Sequence, residues 1–330
     1  MAFLFLGHKA AQFQAGLGSW TDSTTVGTFD SNYTDSSILA QWATNQGNGH
    51  RIGWQAGVQA EVWFHANVYN WGSTVNDDGP CLMFYGDTGD MIGGIYTGTG
   101  TNNGRRVTSA AGASAAQVGS TYTQSNSLGL IDVHVEYDLA SSGNIVVTNY
   151  WNGTIVGSAS TTAITSNSST GIDHIMVGGW DHDSFYMSEI IVSDSDTRGM
   201  RLGQMTPDGA GNYSAWENAG TDIGFSKNFT GISSAVAADR ESWSLSSYSG
   251  PASPTTIHAV VNQVYGTPGN SGPSQVDSFL RISSTDYDSG ALTPEAMKAC
   301  TYEWTTNPNT AGAWATTDFA ALEAGVEAVT

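Results

Sequence analysis

Ile131-Asp132-Val133-His134-Val135-Glu136-Tyr137-Asp138-Leu139 decides the fold class. Apolar residues fall at every second position, and an acid or a histidine fills each gap. Successive side chains of a strand point to opposite faces. Ile131, Val133, Val135, Tyr137 and Leu139 therefore line a core, and Asp132, His134, Glu136 and Asp138 occupy the other face. Residues 54–68 repeat the pattern upstream. Trp54, Ala56, Val58, Ala60, Val62, Phe64, Ala66 and Val68 form the apolar set, and Gln55, Gly57, Gln59, Glu61, Trp63, His65 and Asn67 the alternate one. This predicts one long strand with a single buried face.

Downstream, residues 144–150 read as a strand and residues 154–156 as its return. Between them Asn152-Gly153 tolerates positive φ, the signature of a two-residue hairpin turn. Residues 172–177 and 185–192 are two more strands, separated by the turn-rich loop Gly178-Gly179-Trp180-Asp181-His182-Asp183. An antiparallel β-sandwich with glycine-rich loops follows. A boundary falls near Asp194-Ser195-Asp196-Thr197-Arg198-Gly199. Beyond it, strands are expected at 241–245, 256–265 and 275–282, punctuated by Pro251, Pro254, Pro268 and Pro273. Thr293-Pro294-Glu295 reads as a helix start, with a cap residue before a proline. Residues 317–323 read as a short helix.

Composition agrees with a turn-rich β protein. The 330 residues include 40 glycines and only 12% charged residues, against ~7% glycine and ~25% charge in ordinary chains. Thirty acids against ten bases give a net charge of −20, which repels phosphate backbones and argues against nucleic-acid binding. No apolar run approaches the ~20 residues of a membrane-spanning helix. The opening Met1-Ala2-Phe3-Leu4-Phe5-Leu6 lacks the basic flank and length of a secretory signal, so none is expected. Two distant cysteines, Cys81 and Cys300, make no disulfide framework.

Residues 130–202 resemble the second half of a concanavalin-A-like (laminin-G-like) jelly roll. The likeness rests on Asp-Val-His-Val-Glu-Tyr (132–137), Tyr-Trp-Asn-Gly-Thr-Ile-Val (150–156) and Ile-Asp-His-Ile-Met-Val-Gly-Gly (172–179). Met187-Ser188-Glu189-Ile190-Ile191-Val192-Ser193-Asp194-Ser195-Asp196-Thr197-Arg198-Gly199-Met200-Arg201-Leu202 is similar to a stretch of tailed-bacteriophage and prophage virion proteins. So are residues 306–314, beginning Thr306-Asn307-Pro308, and residues 319–326. The resemblance spans about residues 50–330. It implies a lectin-like sandwich; taken with the strand pattern, the boundary near 194–199 and the apolar opening, it gives an all-β chain with a docking segment at 1–20, a jelly-roll sandwich at 21–203 and a smaller β-sandwich domain at 204–330. It further implies a non-enzymatic structural component of a virion: a fibre, spike, tail or decoration protein. Such a protein would assemble as a homo-oligomer and touch host surface glycans. The alternative is a free carbohydrate-binding module or polysaccharide-degrading enzyme. The resemblance brings no catalytic, cofactor or metal residue with it, and none is assigned.

Several residues carry chemistry worth weighing. Gly269-Asn270-Ser271-Gly272-Pro273 reads as a turn rather than a nucleophile loop. Asp181 and Asp183 could join a weak calcium site, although acidic loops also serve solubility. Asp194/Asp196 and Asp286/Asp288 open loops that fail the calcium pattern at Met205 and Met297. The row Asp132, His134, Glu136, Asp138 has a spacing compatible with glycoside hydrolysis, yet a solvent face needs the same alternation. Trp63, Trp71, Trp151 and Trp180, placed outward or in loops, suit sugar stacking or subunit contact. Residues 1–18 carry Phe3, Leu4, Phe5, Leu6, Phe13 and Leu17. They would either dock onto a virion partner or fold back as the chain's own first strand.

Overall fold

The computed structural model describes residues 1–7, 19–23, 37–41, 50–69, 79–97, 103–108, 116–117, 122–123, 128–139, 143–156, 160–163, 168–177, 185–217, 232–248, 256–269, 271–295 and 298–330. The chain divides into two compact units, the first ending at Leu202 and the second spanning Gly203–Thr330. Strands of the first unit are β1 Phe3–Gly7, β2 Ser19–Ser23, β3 Ser37–Gln41, β4 His50–Gly53, β5 Glu61–Tyr69, β6 Gly79–Gly86, β7 Met91–Thr97, β8 Asn103–Thr108, β9 Ala116–Gln117, β10 Tyr122–Thr123, β11 Gly129–Asp138, β12 Asn144–Trp151, β13 Thr154–Ile155, β14 Ser160–Ala163, β15 Ile172–Val177 and β16 Phe185–Ser193. The second unit holds β17 Pro207–Ser214, β18 Arg240–Leu245, β19 Val260–Val264, β20 Gln275–Ile282, β21 Thr285–Asp288, β22 Cys300–Trp304 and β23 Glu323–Val329. The named pairings are antiparallel throughout, and the architecture is an all-β, jelly-roll-type sandwich followed by a smaller β unit.

In the first unit a nine-stranded sheet follows the path β13-β12-β11-β5-β16-β3-β2, with β1 on β16 and β14 on β12. A seven-stranded sheet follows β10-β8-β7-β6-β15-β4, with β9 on β8. The core lies between them. Val62, Phe64, Val133, Val135, Ile145 and Val147 from the first sheet face Leu82, Phe84, Ile95, Ile175 and Val177 from the second, all essentially without solvent contact. Period-two alternation is the cause: the apolar set of each strand is the set that meets the other sheet. Tyr137 keeps its ring in the core and donates its hydroxyl to the Ser169 carbonyl at 3.0 Å. The hairpin at Asn152-Gly153 forms as expected, with φ of 49° and 75° joining β12 to β13. The strand expected over 172–177 is β15, residue for residue.

Two expectations are corrected, and one open alternative is decided. The long strand over 54–68 is a strand only in its second half, because the chain turns at Gly57 (φ 78°) and Gln59 makes an isolated bridge to Ile172. Only Glu61–Tyr69 belongs to the nine-stranded sheet. No helix starts at Pro294 within Thr293–Glu295: the Thr293 hydroxyl meets Gln275, and Leu292 bridges Val276. For residues 3–7, folding back is what forms. Phe3–Gly7 pairs with β16 and buries Phe3, Leu4 and Phe5, so this part offers no apolar patch to a virion partner. Phe13 and Leu17 lie outside the described residues.

The second unit has a five-stranded sheet, β17-β18-β23-β20-β21, and a two-stranded pair, β19-β22. The strand expected at 275–282 is β20. Leu280, Ile282, Trp314, Phe319 and Leu322 make one apolar cluster, and Trp243, Val276 and Val326 another. The short helix expected at 317–323 is a 3-10 helix, Thr316–Ala321, which yields to β23 at Glu323. On the sheet's other face Phe279 lies beneath Arg240, with the guanidinium 5.0 Å from the ring centroid. Asp286 accepts from Arg240, Arg281 and Tyr213, and Arg240 also holds Asp288 and Glu327.

Candidate functional site

The outer face of the nine-stranded sheet, turned away from the core, carries the densest chemistry of the first unit. Register builds it as rungs. Val146, Glu136 and Glu61 stand side by side on β12, β11 and β5. Thr148, His134, Trp63 and Ser193 form the next rung, and Tyr150, Asp132, His65 and Ile191 the third. Asp132, His134 and Glu136 do point away from Val133 and Val135, as the alternation demands. Two of the three are not on a solvent face, however: Asp132 is fully buried and His134 only 7% exposed.

The covering element is the segment 194–202, which leaves β16 and runs back across the sheet. Its Thr197 hydroxyl donates to Asp132 Oδ1 at 2.9 Å. His65 Nδ1 lies 2.8 Å from the same oxygen, so one buried carboxylate oxygen organises both. Asp132 Oδ2 and His65 Nε2 are buried without a hydrogen-bond partner. Further along, Glu189 sits at φ 54° in a bulge of β16, where the register with β5 shifts. Its buried carboxylate takes two hydrogen bonds from Arg201, at 2.7 and 2.6 Å. Asn67 and the Leu202 amide complete its partners, which pins the end of the segment. Bulges of this kind re-aim a side chain out of the ladder.

The open part of the face lies beside this segment. Trp63 stacks on His134 with ring centroids 4.1 Å apart and planes 12° apart, and Tyr150 flanks Trp63 at 5.7 Å. The Arg198 guanidinium sits 4.7 Å from the Tyr150 ring centroid and 5.5 Å from that of Trp63. Arg198 also donates to both carboxylate oxygens of Asp196. Those hydrogen bonds hold the Asp196 carboxyl below the usual carboxylate range and raise Arg198 in turn.

Glu61 and Glu136 converge on His134. His134 Nε2 is 3.0 Å from Glu61 Oε2, and Nδ1 is 3.5 Å from Glu136 Oε1. The two glutamate side chains are 48% and 41% exposed, whereas that of His134 is 9% exposed. One donor atom from each of the three lies within 4.8 Å of the others, a set that could hold a metal ion. The arrangement offers two accessible carboxylates, a fixed imidazole and an aromatic–guanidinium patch at one place.

Part of this site is legible in the sequence. His134, Glu136 and Trp63 were legible as outward positions, but Glu61, Tyr150 and Arg198 were not singled out. Glu61 and Tyr150 had parity as their signal, Glu61 sharing the alternate positions of Trp63 and His65, whereas Arg198 lies outside any strand and had none. Trp151 is not outward; it pairs with Ile131, whose side chain belongs to the core face. Asp138 lies on β11 beyond the cluster. Asp194 receives the Ala2 amide at 2.6 Å and the Ser195 hydroxyl at 2.7 Å, and Asp196 is taken by Arg198. Asp286 and Asp288 belong to the second unit's arginine network. Asp181, Asp183, Trp71, Trp180, Asn270 and Met297 lie outside the described residues.

No family model and no curated protein matches the chain. Solved structures similar to it include an endo-β-1,4-glucuronan lyase from the fungus Trichoderma reesei, at 11% identity and TM-score 0.41, covering 60% of this chain and 98% of that one. A GH131 β-glucanase catalytic domain from Podospora anserina is similar at 11% identity and TM-score 0.33, over 56% of this chain and 85% of that one. The carbohydrate-binding module CBM66 from Bacillus subtilis is similar at 13% identity and TM-score 0.31, over 55% and 96%. Two of these three are enzymes, and this corrects the expectation of a non-enzymatic chain. None of the three is a virion protein, so the expected family finds no support in them.

Proposed function

We propose that the first unit binds a polysaccharide on the open part of the outer sheet face and cleaves it there through Glu61 and Glu136. The observation that carries this reading is the pair of exposed carboxylates, opposite each other on β5 and β11, with oxygens no more than 4.8 Å apart. Retaining glycosidases place their two carboxyl groups ~5–5.5 Å apart, one as nucleophile and one as acid and then base. His134 lies between the two and can pass a proton to either. Tyr150, two rungs along, and Arg198, on the covering segment, supply the aromatic face and the adjoining cation on which a sugar ring can rest. A net charge of −20 favours a neutral or amino-bearing sugar over a polyuronate.

The test is incubation with chitosan, β-glucan, mannan and polyglucuronate, reading new chain ends. Glu61→Gln and Glu136→Gln are expected to fold and to lose cleavage by about 10²–10⁴-fold, the usual worth of a positioned acid or base. Retention of no glycan, together with release of no chain ends, would sink the reading.

The likeness of residues 187–202 to tailed-phage virion proteins supports a place for this chain on a virion, where its substrate would be a host surface glycan. The protein would then sediment with purified particles and be found in them by mass spectrometry. Recovery only as a free soluble protein would favour a free polysaccharide-degrading enzyme.

A further inference from the structure

We infer that Glu61, His134 and Glu136 bind a first-row divalent transition metal ion of the Zn²⁺ or Mn²⁺ class. The donor atoms are within 4.8 Å of one another, as ligands sharing one ion must be. One imidazole nitrogen with carboxylate oxygens suits these ions, whereas calcium prefers oxygen ligands alone.

Two features of the cluster call for a cation. Glu136 and Glu61 are direct partners in the register, and like charges directly opposite each other destabilise a strand pair. Both ring nitrogens of His134 also face carboxylate oxygens. A neutral imidazole has one donor and one acceptor, so it can donate to only one of them. Its other lone pair then meets an oxygen lone pair. An ion on that nitrogen, reached by both flexible glutamates, removes both conflicts. Trp63, stacked on His134, fixes the ring plane, so the site's least mobile ligand is already in place. The glutamates are nearly half exposed, which leaves room for water or sugar hydroxyls on the ion. An imidazolium is the competing answer, and it separates cleanly from a metal because proton and metal compete for the same nitrogen.

One consequence rests on the glycan reading: with the ion bound, Glu61 and Glu136 are ligands and cannot transfer protons. The ion would then hold cleavage in check. The inference itself does not rest on that reading, because it concerns binding alone.

Calorimetric titration of the full-length, tag-free, chelator-treated chain with Zn²⁺, and separately with Mn²⁺, tests it. One site per chain is expected, with heats that vary with the buffer as protons are released. Glu61→Gln and Glu136→Gln should each weaken binding at least tenfold, and His134→Gln should abolish it. Thermal melts of the two glutamate variants check that they fold. Absence of saturable Zn²⁺ and Mn²⁺ binding would overturn the inference, as would binding that survives all three substitutions. Either result leaves the glycan experiment standing, and failure of glycan cleavage leaves this one standing.

Discussion

Val135→Asp is expected to abolish folding of the first unit. Val135 has no solvent exposure and stands between Val62 on β5 and Val147 on β12, all three on the core side of the nine-stranded sheet. An aspartate there has no cation beside it and no route to water. Burying an unpaired carboxylate costs many kcal/mol, and a protonated one still leaves unmet hydrogen bonds at several kcal/mol. Total domain stability is only about 5–15 kcal/mol, so one such substitution can exceed it. Val135→Ala is the control: it removes apolar volume at ~0.8 kcal/mol per methylene, plus a cavity, and should leave a folded but weakened unit. Near-ultraviolet circular dichroism and urea titration read both. A Val135→Asp protein that unfolds near the wild-type urea midpoint would refute burial of this face.

Deletion of residues 2–7 is expected to lower the melting temperature steeply. The deletion removes Phe3, Leu4 and Phe5, all nearly or wholly buried, at ~1.5–3 kcal/mol each. It also removes the β1–β16 ladder, together with the hydrogen bonds that Ala2 makes to Asp194 and Ser193. Those bonds anchor the start of the segment 194–202, so Thr197 and Arg198 should loosen over the candidate site. At about 2–4 °C per kcal/mol for a unit of this size, a fall of roughly 10–30 °C is expected in a thermal melt. A truncated protein that melts like the parent but fails to associate with particles would restore docking as the role of this strand.

The strands that were legible were those whose reading is local. β11, β15 and β20 announce themselves by alternation or by a short β-branched run, and the β12–β13 turn by Asn152-Gly153. The break at Gly57 was not legible, because the alternation of residues 54–68 continues through it. Only the bridge from Gln59 to Ile172 shows why the chain turns there. The end of the short helix was missed for a similar reason: at Glu323 the open place beside β18 and β20 outweighs local helical preference.

Within β11, sequence alone determined that Ile131, Val133, Val135 and Tyr137 face the core and that Asp132, His134 and Glu136 share the opposite face. That follows from a period of two, which needs no knowledge of neighbours. Leu139, past the strand's end, and Val58, at the Gly57 turn, are exposed instead. Tertiary structure decided which strands lie side by side and in what register. Glu61 meets Glu136 only because β5 pairs with β11, and a slip of one residue would have put Val62 in its place. It also decided that Asp132 and His65 are buried. The segment 194–202 is polar, and nothing in its composition says that it crosses the sheet. It lies there because Thr197 reaches Asp132 and Arg201 pairs with the buried Glu189, partners distant in sequence that only the folded chain brings together.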